Sequence, residues 1–256
     1  AVLCLLLPHD KSWASKRFLV STDSKLTFQT LKWANQNHLS GNFRPQGMVL
    51  LEQYGARIEK FLDAVQMVTV RVDQDQQVPL IRSLQGQWGW DKIEEEYMIP
   101  LLQPTERREE NSGHAGHHLF LTDSLLQSTM KGDFHSIPWG IEAVRAPEAW
   151  SKSQYGKNVR VMVIDTGIDK DHPDLVSRFE KGQNFISVDD DVPYDYFDHV
   201  SHGTHVAGTI AADGKVTGLI GVAPEARILS ARVCSQEGCS SIAIVEAVNW
   251  GIEEKV

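Results

Sequence analysis

Hydrophobic residues in the first part of the chain follow two periods, one of about two residues and one of about 3.6. The shorter period predicts strands, and the longer period predicts helices that bury one side. The clearest strand covers residues 65–72, where Val68, Val70 and Val72 alternate with other side chains. The predicted order is strand, helix, strand, helix, strand, over residues 17–20, 24–38, 65–72, 76–84 and 93–102. This order predicts a small split β-α-β sandwich.

From residue 137 onward the pattern is that of an α/β domain. Residues 159–164 are mostly apolar on both faces, which predicts a central strand of a parallel sheet. Residues 201–212 predict a helix with Ser201 as its N-cap and Gly214 as its stop. The remaining predicted elements are a short helix over 147–150, a strand over 228–233, and a helix over 240–250 that buries Ile244, Val245 and Val248.

Residues 103–135 are polar and separate the two patterns. They contain His114, His117 and His118, which are candidate metal ligands. A polar linker rarely preforms a metal site, so we predict a linker and processing region instead. Residues 1–15 begin with an apolar run too short to span a bilayer, which predicts the remnant of a signal segment or a first buried strand.

Composition narrows the class of protein. The chain has 256 residues, of which 41% are hydrophobic, enough for a packed core. Its formal net charge of −9, which lies mainly in the second half, argues against nucleic-acid binding. No run is long enough for a membrane span. Cys234 and Cys239 bracket a short loop and are either disulfide-bonded or free, and the spacing alone does not decide between these states.

Two segments carry the chemistry. Residues 163–169 read Val-Ile-Asp-Thr-Gly-Ile-Asp and place Asp165 at the carboxyl end of a strand, where catalytic groups gather in α/β sheets. Residues 201–208 read Ser-His-Gly-Thr-His-Val-Ala-Gly and place His202 at the start of a helix. An acid that orients an imidazole is two thirds of a nucleophile-base-orienter device. His202 and His205 are also candidates for zinc, but they lack the i, i+4 spacing and the intervening Glu of the known helical motif.

Together these segments resemble the subtilisin-like serine proteases, the subtilase family. Residues 163–169 look like the Asp block of that family, and residues 202–208 look like its His block. Residues 137–150 resemble the mature N-terminus, and Gly-Val-Ala-Pro at 221–224 continues the match. The resemblance implies that Asp165 orients the general base His202. It also implies that residues 136–256 form the N-terminal part of a three-layer α/β domain with a parallel sheet.

The first half resembles the inhibitor-like propeptide of the same family. This resemblance implies a ferredoxin-like α+β domain over residues 16–102 that acts as an intramolecular chaperone bound to the catalytic domain. Its tail would lie in the substrate cleft and be cut near residues 130–136. Protein and peptide substrates of the family add a strand beside the loop after the 228–233 strand. This implies that Gly238, Cys239 and Ser240 contact the substrate.

Metal sites are considered at two places. Asp174 matches a carboxylate that holds structural calcium in many relatives, but Lys215 falls where those relatives supply an oxygen ligand, which argues against calcium here. No cofactor is expected for catalysis. A second acidic group precedes His202 and is interpreted as a selector of basic substrates, a calcium site or solvated surface; it comprises Asp189, Asp190, Asp191, Asp195 and Asp198.

The nucleophile block of the family, Gly-Thr-Ser-Met-Ala, does not occur in the sequence. We therefore expect a fragment of a serine endopeptidase precursor of the secretory pathway, inactive by itself because the serine lies outside it. The alternative is a truncated product that acts as a protease inhibitor or folding chaperone through residues 16–102. A reading frame that continues to the serine block would favour the enzyme, and a stop would favour the inhibitor.

Overall fold

The computed structural model describes residues 16–39, 44–72, 77–101, 137–186 and 195–256. The helices are α1 (Lys25–Gln36), α2 (Gln46–Gln53), α3 (Val78–Arg82), α4 (Trp139–Ala143), α5 (Ala146–Ser153), α6 (His202–Ala211) and α7 (Ser241–Glu253). The strands are β1 (Lys16–Thr22), β2 (Ala56–Leu62), β3 (Met67–Val72), β4 (Trp90–Glu95), β5 (Met98–Ile99), β6 (Arg160–Asp165), β7 (Phe179–Asn184), β8 (Arg227–Arg232), β9 (Cys234–Ser235) and β10 (Gly238–Ser240). The predicted signal remnant, the linker and Asp189, Asp190 and Asp191 lie outside the described residues.

The described residues form two units, and the first comprises those up to Met98 together with Ser240–Lys255. Its four-stranded sheet is antiparallel and has the order β2-β3-β1-β4. The alternating valines of β3 are fully buried, as their period of two requires. They pack with Phe18 of β1 and Leu31 of α1 in one hydrophobic cluster.

Several bounds in this unit differ from those that the periodicity predicts. Helix α2 and strand β2 were not predicted, because α2 is a short apolar run and a register shift between Ile58 and Lys60 interrupts the alternation of β2. The strand predicted over 93–102 is wrong as one element. It is divided into β4, which belongs to the four-stranded sheet, and β5, which pairs with β10, and between them Tyr97 exchanges hydrogen bonds with Ser241.

Helix α7 belongs to this first unit and buries polar side chains. Glu246 has a side chain that is 1% exposed and accepts hydrogen bonds from Arg17, at 2.5 Å, and from Lys60. Asn249 accepts a hydrogen bond from the backbone N–H of Ala64 at 2.8 Å. The two buried polar side chains of α7 are therefore matched to charged and polar groups, while its other buried residues, such as Ile242, Ala243 and Ala247, are apolar or glycine.

The predicted burial of Ile244, Val245 and Val248 is wrong. Val248 is exposed and the other two are only half-buried, whereas Glu246 and Asn249 are buried. The reason is that a glutamate can be buried when cations neutralise it, and a hydrophobicity pattern does not register this.

Arg17 lies at the centre of the charged cluster. Besides Glu246, it donates to Glu59 at 3.0 Å and to Glu96 at 3.3 Å. Burial alone would lower the pKa of Arg17, but the nearby carboxylates raise it above its ordinary value. Burial alone would raise the pKa of Glu59, but hydrogen bonds from Arg71 and Arg17 hold it below its ordinary value.

The second unit comprises Ile99–Cys239 with Val256 and contains a parallel sheet of the order β6-β8-β7. Asp165, the last residue of β6, is paired with Arg232, the last residue of β8. Helix α6 packs on β6 through Ala207 and Ala211, which are fully buried with Val163. Among the described strands, β8 lies in the middle and β6 has one neighbour, so the predicted central place of β6 is not seen in this part of the sheet. None of the described helices combines the length and apolar character needed to cross a bilayer.

Acid is predicted to weaken the first unit through Glu59. Because its pKa is depressed on folding, its stabilising contribution is fully present above the ordinary glutamate value of 4.5 and is lost as the pH falls through the lower folded value. Urea unfolding between about pH 7 and pH 3, followed by tryptophan fluorescence, measures this loss. Glu59→Gln is expected to flatten the decline in the free energy of unfolding below pH 4.5. An unchanged pH dependence in that variant would contradict the assignment to Glu59.

Candidate active site

The carboxylate that ends β6 meets the imidazole that begins α6. Oδ1 of Asp165 lies 2.8 Å from Nδ1 of His202. A carboxylate oxygen accepts, so Nδ1 donates and Nε2 is the accepting nitrogen of the neutral ring. The Asp165 side chain is 14% exposed, whereas that of His202 is 41% exposed. The acid is thus shielded while the ring remains accessible, which suits an orienting acid and a proton acceptor.

Gly203 allows this approach, and Gly167 allows the loop before α6 to pass close to the end of β6. A Cβ on Gly203 would collide with the carbonyl oxygen of Gly167 and stand 3.2 Å from Cβ of Asp165. Gly167 has φ +115°, and a Cβ there would lie 2.5 Å from the carbonyl oxygen of Tyr196. The first turn of α6 is therefore closer to the end of β6 than a side chain at position 203 would permit. The loop before α6 is likewise closer to Gly167 than a side chain there would permit.

The N-terminus of α6 is capped differently from the prediction. Ser201 occupies the N-cap position with φ 74°, and its side chain makes no cap hydrogen bond. The carboxylate of Asp198 takes this role, because its Oδ2 accepts from the backbone N–H of Thr204 at 2.7 Å. The predicted capping by the Ser201 side chain is wrong for this reason: a longer acidic side chain from the preceding loop reaches the same donor.

The three predicted substrate residues form β10. A small sheet has the order β5-β10-β9, so residues 98–99 already lie along this edge. Gly238 has φ +127°, and a Cβ there would lie 2.5 Å from the carbonyl oxygen of Ile99. Ser240 accepts from the backbone N–H of Ala243 at 3.0 Å and caps α7. The edge at Gly238 and Cys239 can thus hold an extended peptide, while the Ser240 side chain is committed to the helix.

A disulfide joins Cys234 to Cys239, which decides between the two states that the sequence left open. The two residues are directly paired between β9 and β10. The bond therefore closes the hairpin of which β10 is the second strand.

Hydrogen-bond donors of the protein engage both oxygens of the Asp174 carboxylate. It is 1% exposed, and its Oδ1 accepts from the backbone N–H groups of Val216 at 2.9 Å and Thr217 at 3.2 Å. The Thr217 hydroxyl donates to Oδ2. Lys215 extends to Asp213, at 2.8 Å. This arrangement does not fit a calcium ion, which needs several oxygen ligands.

Two further candidates for metal or substrate binding are Asp195 and His205. Oδ2 of Asp195 contacts Arg232 and His199, each at 3.0 Å, and its Oδ1 accepts from the backbone N–H of Phe197 at 3.2 Å, so both carboxylate oxygens are engaged within the protein. His205 is exposed on α6. Within the described ranges, no three His, Cys, Asp or Glu side chains are arranged to hold a metal ion.

Sequence reasoning missed the polar residues that support the pair. Thr166 follows Asp165 directly, and its hydroxyl accepts from the backbone N–H of Gly203 at 2.9 Å. Thr204 accepts through its hydroxyl from the backbone N–H of Asp169 at 2.9 Å. Both threonines lie inside the recognised motifs, and their short hydroxyl side chains beside catalytic residues were the available signal.

Comparison with known proteins concerns the second half of the chain. Residues 156–256 match the model of the subtilase family. This part of the chain is subtilase-like. The predicted resemblance to the subtilisin-like serine proteases is thereby confirmed, and the subtilase-like segment includes both Asp165 and His202.

Bacterial proteases are among the relatives. The chain is 43% identical over 123 residues to the "Intracellular serine protease" of Paenibacillus polymyxa, which covers 48% of this chain and 37% of the relative. It is 43% identical over 126 residues to the "Major intracellular serine protease" of Bacillus subtilis, covering 48% of this chain and 40% of the relative. It is 41% identical over 122 residues to "Subtilisin E" of Bacillus subtilis, covering 47% and 31%. The chain thus spans two fifths or less of the length of these relatives.

Gly203→Ala is predicted to separate the Asp165–His202 pair. The added methyl group forces the helix start away from Gly167, at a cost of about 1–3 kcal/mol in the free energy of unfolding. Gly208→Ala is the matched control, because a Cβ there meets no atom within 4 Å. That change is expected to stabilise α6 by up to about 1 kcal/mol. Urea unfolding compares the variants, and equal effects would contradict the close approach.

Chelation is predicted to leave the Tm of the chain unchanged, because Asp174 is held by donors. Thr217→Val removes one of those donors and is expected to cost about 1–3 kcal/mol. Thr209→Val, at an exposed hydroxyl that donates to the His205 carbonyl at 3.1 Å, should stay within about 0.5 kcal/mol. Thermal unfolding with and without EDTA checks the first point, and a lower Tm that calcium restores would contradict it.

Proposed function

We propose that this chain contributes the Asp–His part of a serine endopeptidase. The observation that carries the proposal is the 2.8 Å hydrogen bond between Asp165 and His202 at the end of the parallel sheet. In the proposed reaction, a serine hydroxyl attacks the peptide carbonyl and passes its proton to Nε2 of His202. The protonated ring then gives this proton to the leaving amine, and water releases the acyl group by the same route.

The two residues have different roles in this reaction. Asp165 keeps the proton of the neutral ring on Nδ1, so that Nε2 is free to accept, and it stabilises the imidazolium that forms. Nε2 has no hydrogen-bond partner among the described residues, and the exposure of the ring leaves room for a serine hydroxyl. Because the sequence contains no Gly-Thr-Ser-Met-Ala segment, we assign the serine to residues outside it.

Peptide substrates are proposed to bind as an added strand along β10. The pairing of residues 98–99 with this edge supports the proposal, since an extended segment of the chain itself already uses it. Main-chain groups of Gly238 and Cys239 would hold the peptide. No cofactor is part of the proposed reaction.

Residues 16–102 are proposed to be an inhibitor-like propeptide with a ferredoxin-like fold. The antiparallel order β2-β3-β1-β4 supports this, as does the binding of α7 through Glu246 and Asn249. In this proposal the protein is made as a precursor, and its linker is then cut near residues 130–136. The disulfide between Cys234 and Cys239 supports a secretory route, because disulfides persist mainly in oxidising compartments.

The test compares His202→Ala with His205→Ala in a protein that carries this sequence together with the serine block. Loss of the general base is expected to lower peptide hydrolysis by about 10⁶-fold and to abolish release of the propeptide. His205→Ala, one turn along the same helix, should retain activity within a few-fold of the unaltered protein. Normal processing of the His202→Ala protein by its own activity would overturn the proposed role.

The alternative is that the product ends without a serine and acts as an inhibitor or chaperone. The polar contacts of α7 with Arg17 of the sheet and with the backbone of Ala64 favour a surface suited to a protease helix. Reading the transcript beyond codon 256 separates the two functions. A stop there, with stoichiometric inhibition of a subtilisin by the full chain, would favour the inhibitor.

A further inference from the structure

Asp198 is a buried acid whose oxygens are fully engaged by neighbouring donors. It is 6% exposed. Its Oδ1 accepts from the Thr166 hydroxyl at 2.8 Å and from the backbone N–H groups of Val200 and Ser201 at 3.0 and 2.8 Å. Its Oδ2 accepts from both the backbone N–H and the hydroxyl of Thr204, each at 2.7 Å. Five donors therefore converge on one carboxylate.

Four of these five donors come from the two segments that carry the catalytic pair. Thr166 is the residue after Asp165, and Thr204 lies in the first turn of α6, two residues after His202. The Thr166 hydroxyl donates a hydrogen bond to Asp198 and accepts one from the backbone N–H of Gly203. The Asp198 carboxylate thus connects Thr166, the residue after Asp165, to the first turn of α6, which begins with His202.

We infer that Asp198 is a positioning residue that fixes the orientation of His202 toward Asp165. The inference concerns the ground-state geometry of the pair and stands without the serine. Its consequence for catalysis rests on the proposed endopeptidase function.

A negative charge is required at this place, and an amide cannot replace it. All five groups that hydrogen-bond to Asp198 are donors, and the carboxylate also lies at the N-terminus of α6, where negative charge is favourable. Burial alone would raise the pKa of Asp198, but hydrogen bonds from Thr204, Thr166 and Val200 hold it below its ordinary value. Asparagine has nearly the same volume, yet its NH₂ group would face donors at one of the two oxygen positions.

The first test uses the chain of 256 residues and measures the His202 tautomer by ¹⁵N NMR of the imidazole. In the unaltered chain, the neutral ring is expected to carry its proton on Nδ1. Asp198→Asn should change the ratio of the two tautomers by about tenfold toward the Nε2–H form, the factor that corresponds to one charge-assisted hydrogen bond.

Asp213→Asn is the matched control. Asp213 is also a buried acid of the second unit, with a side chain that is 3% exposed, and it accepts from Ser177 and Lys215 rather than from the catalytic segments. This variant should lose stability while the tautomer ratio of His202 stays unchanged. A change of equal size in both variants would show a general loss of structure and overturn the inference.

Thr166 supplies a second pair of variants in case Asp198→Asn does not fold. Thr166→Val removes the hydroxyl that joins Asp198 to Gly203 and should shift the tautomer ratio in the same direction. Thr166→Ser keeps the hydroxyl and should show the same His202 tautomer ratio as the unaltered chain. An unaltered ratio in Thr166→Val would overturn the role of this connection.

In an active protein that contains the serine, Asp198→Asn is expected to lower kcat by about 10- to 100-fold with little change in KM. If Asp198→Asn changes the tautomer ratio of His202 but the unaltered protein has no peptidase activity, the proposed function is refuted and the positioning role remains. Full activity with an unchanged tautomer in Asp198→Asn would refute the positioning role and leave the proposed function intact.

Discussion

The close approach of α6 to the end of β6 is the constraint on which the candidate site depends. The helix begins so near the strand that the position after His202 has no space for a Cβ. At that separation a histidine at the first helical position reaches an aspartate at the last strand position, and their nitrogen and oxygen lie 2.8 Å apart. The parallel pairing of β6 with β8 fixes the strand end, and the small side chains of α6 allow the helix to lie against it.

The first unit shows how a polar helix face can be buried. Its sheet has an apolar core, but Arg17 and Lys60 of the sheet form ion pairs with the buried Glu246 of α7. Taking these ions out of water is costly, and the cost is offset only because each is matched by an opposite charge. Removing Arg17 would take away one of the two cations that neutralise the buried Glu246, so the contact depends on this combination of side chains.

The motif residues and the strongly periodic elements could be predicted from the sequence. Asp165 and His202 were identified because a strand that ends in an acid and a helix that begins with a histidine have distinct local patterns. The β3 strand was found because its valines alternate without interruption. In contrast, β2 was missed because a register shift breaks its period, and the buried face of α7 was misassigned because its partners are far away in sequence. The capping of α6 by Asp198 likewise depends on a loop conformation that no periodicity encodes. The domain boundaries proposed from the sequence remain predictions, and the described residues place Ser240–Lys255 with the first unit.

The glycine at the start of β10 limits how this edge can distinguish its ligands. Because Gly238 offers no side chain and lies against the main chain of Ile99, a strand at this point is held through groups that every amino acid possesses. Proline is the exception, since it has no N–H to donate. Recognition here would therefore be tolerant of sequence, and any selectivity would have to come from pockets elsewhere along the bound peptide.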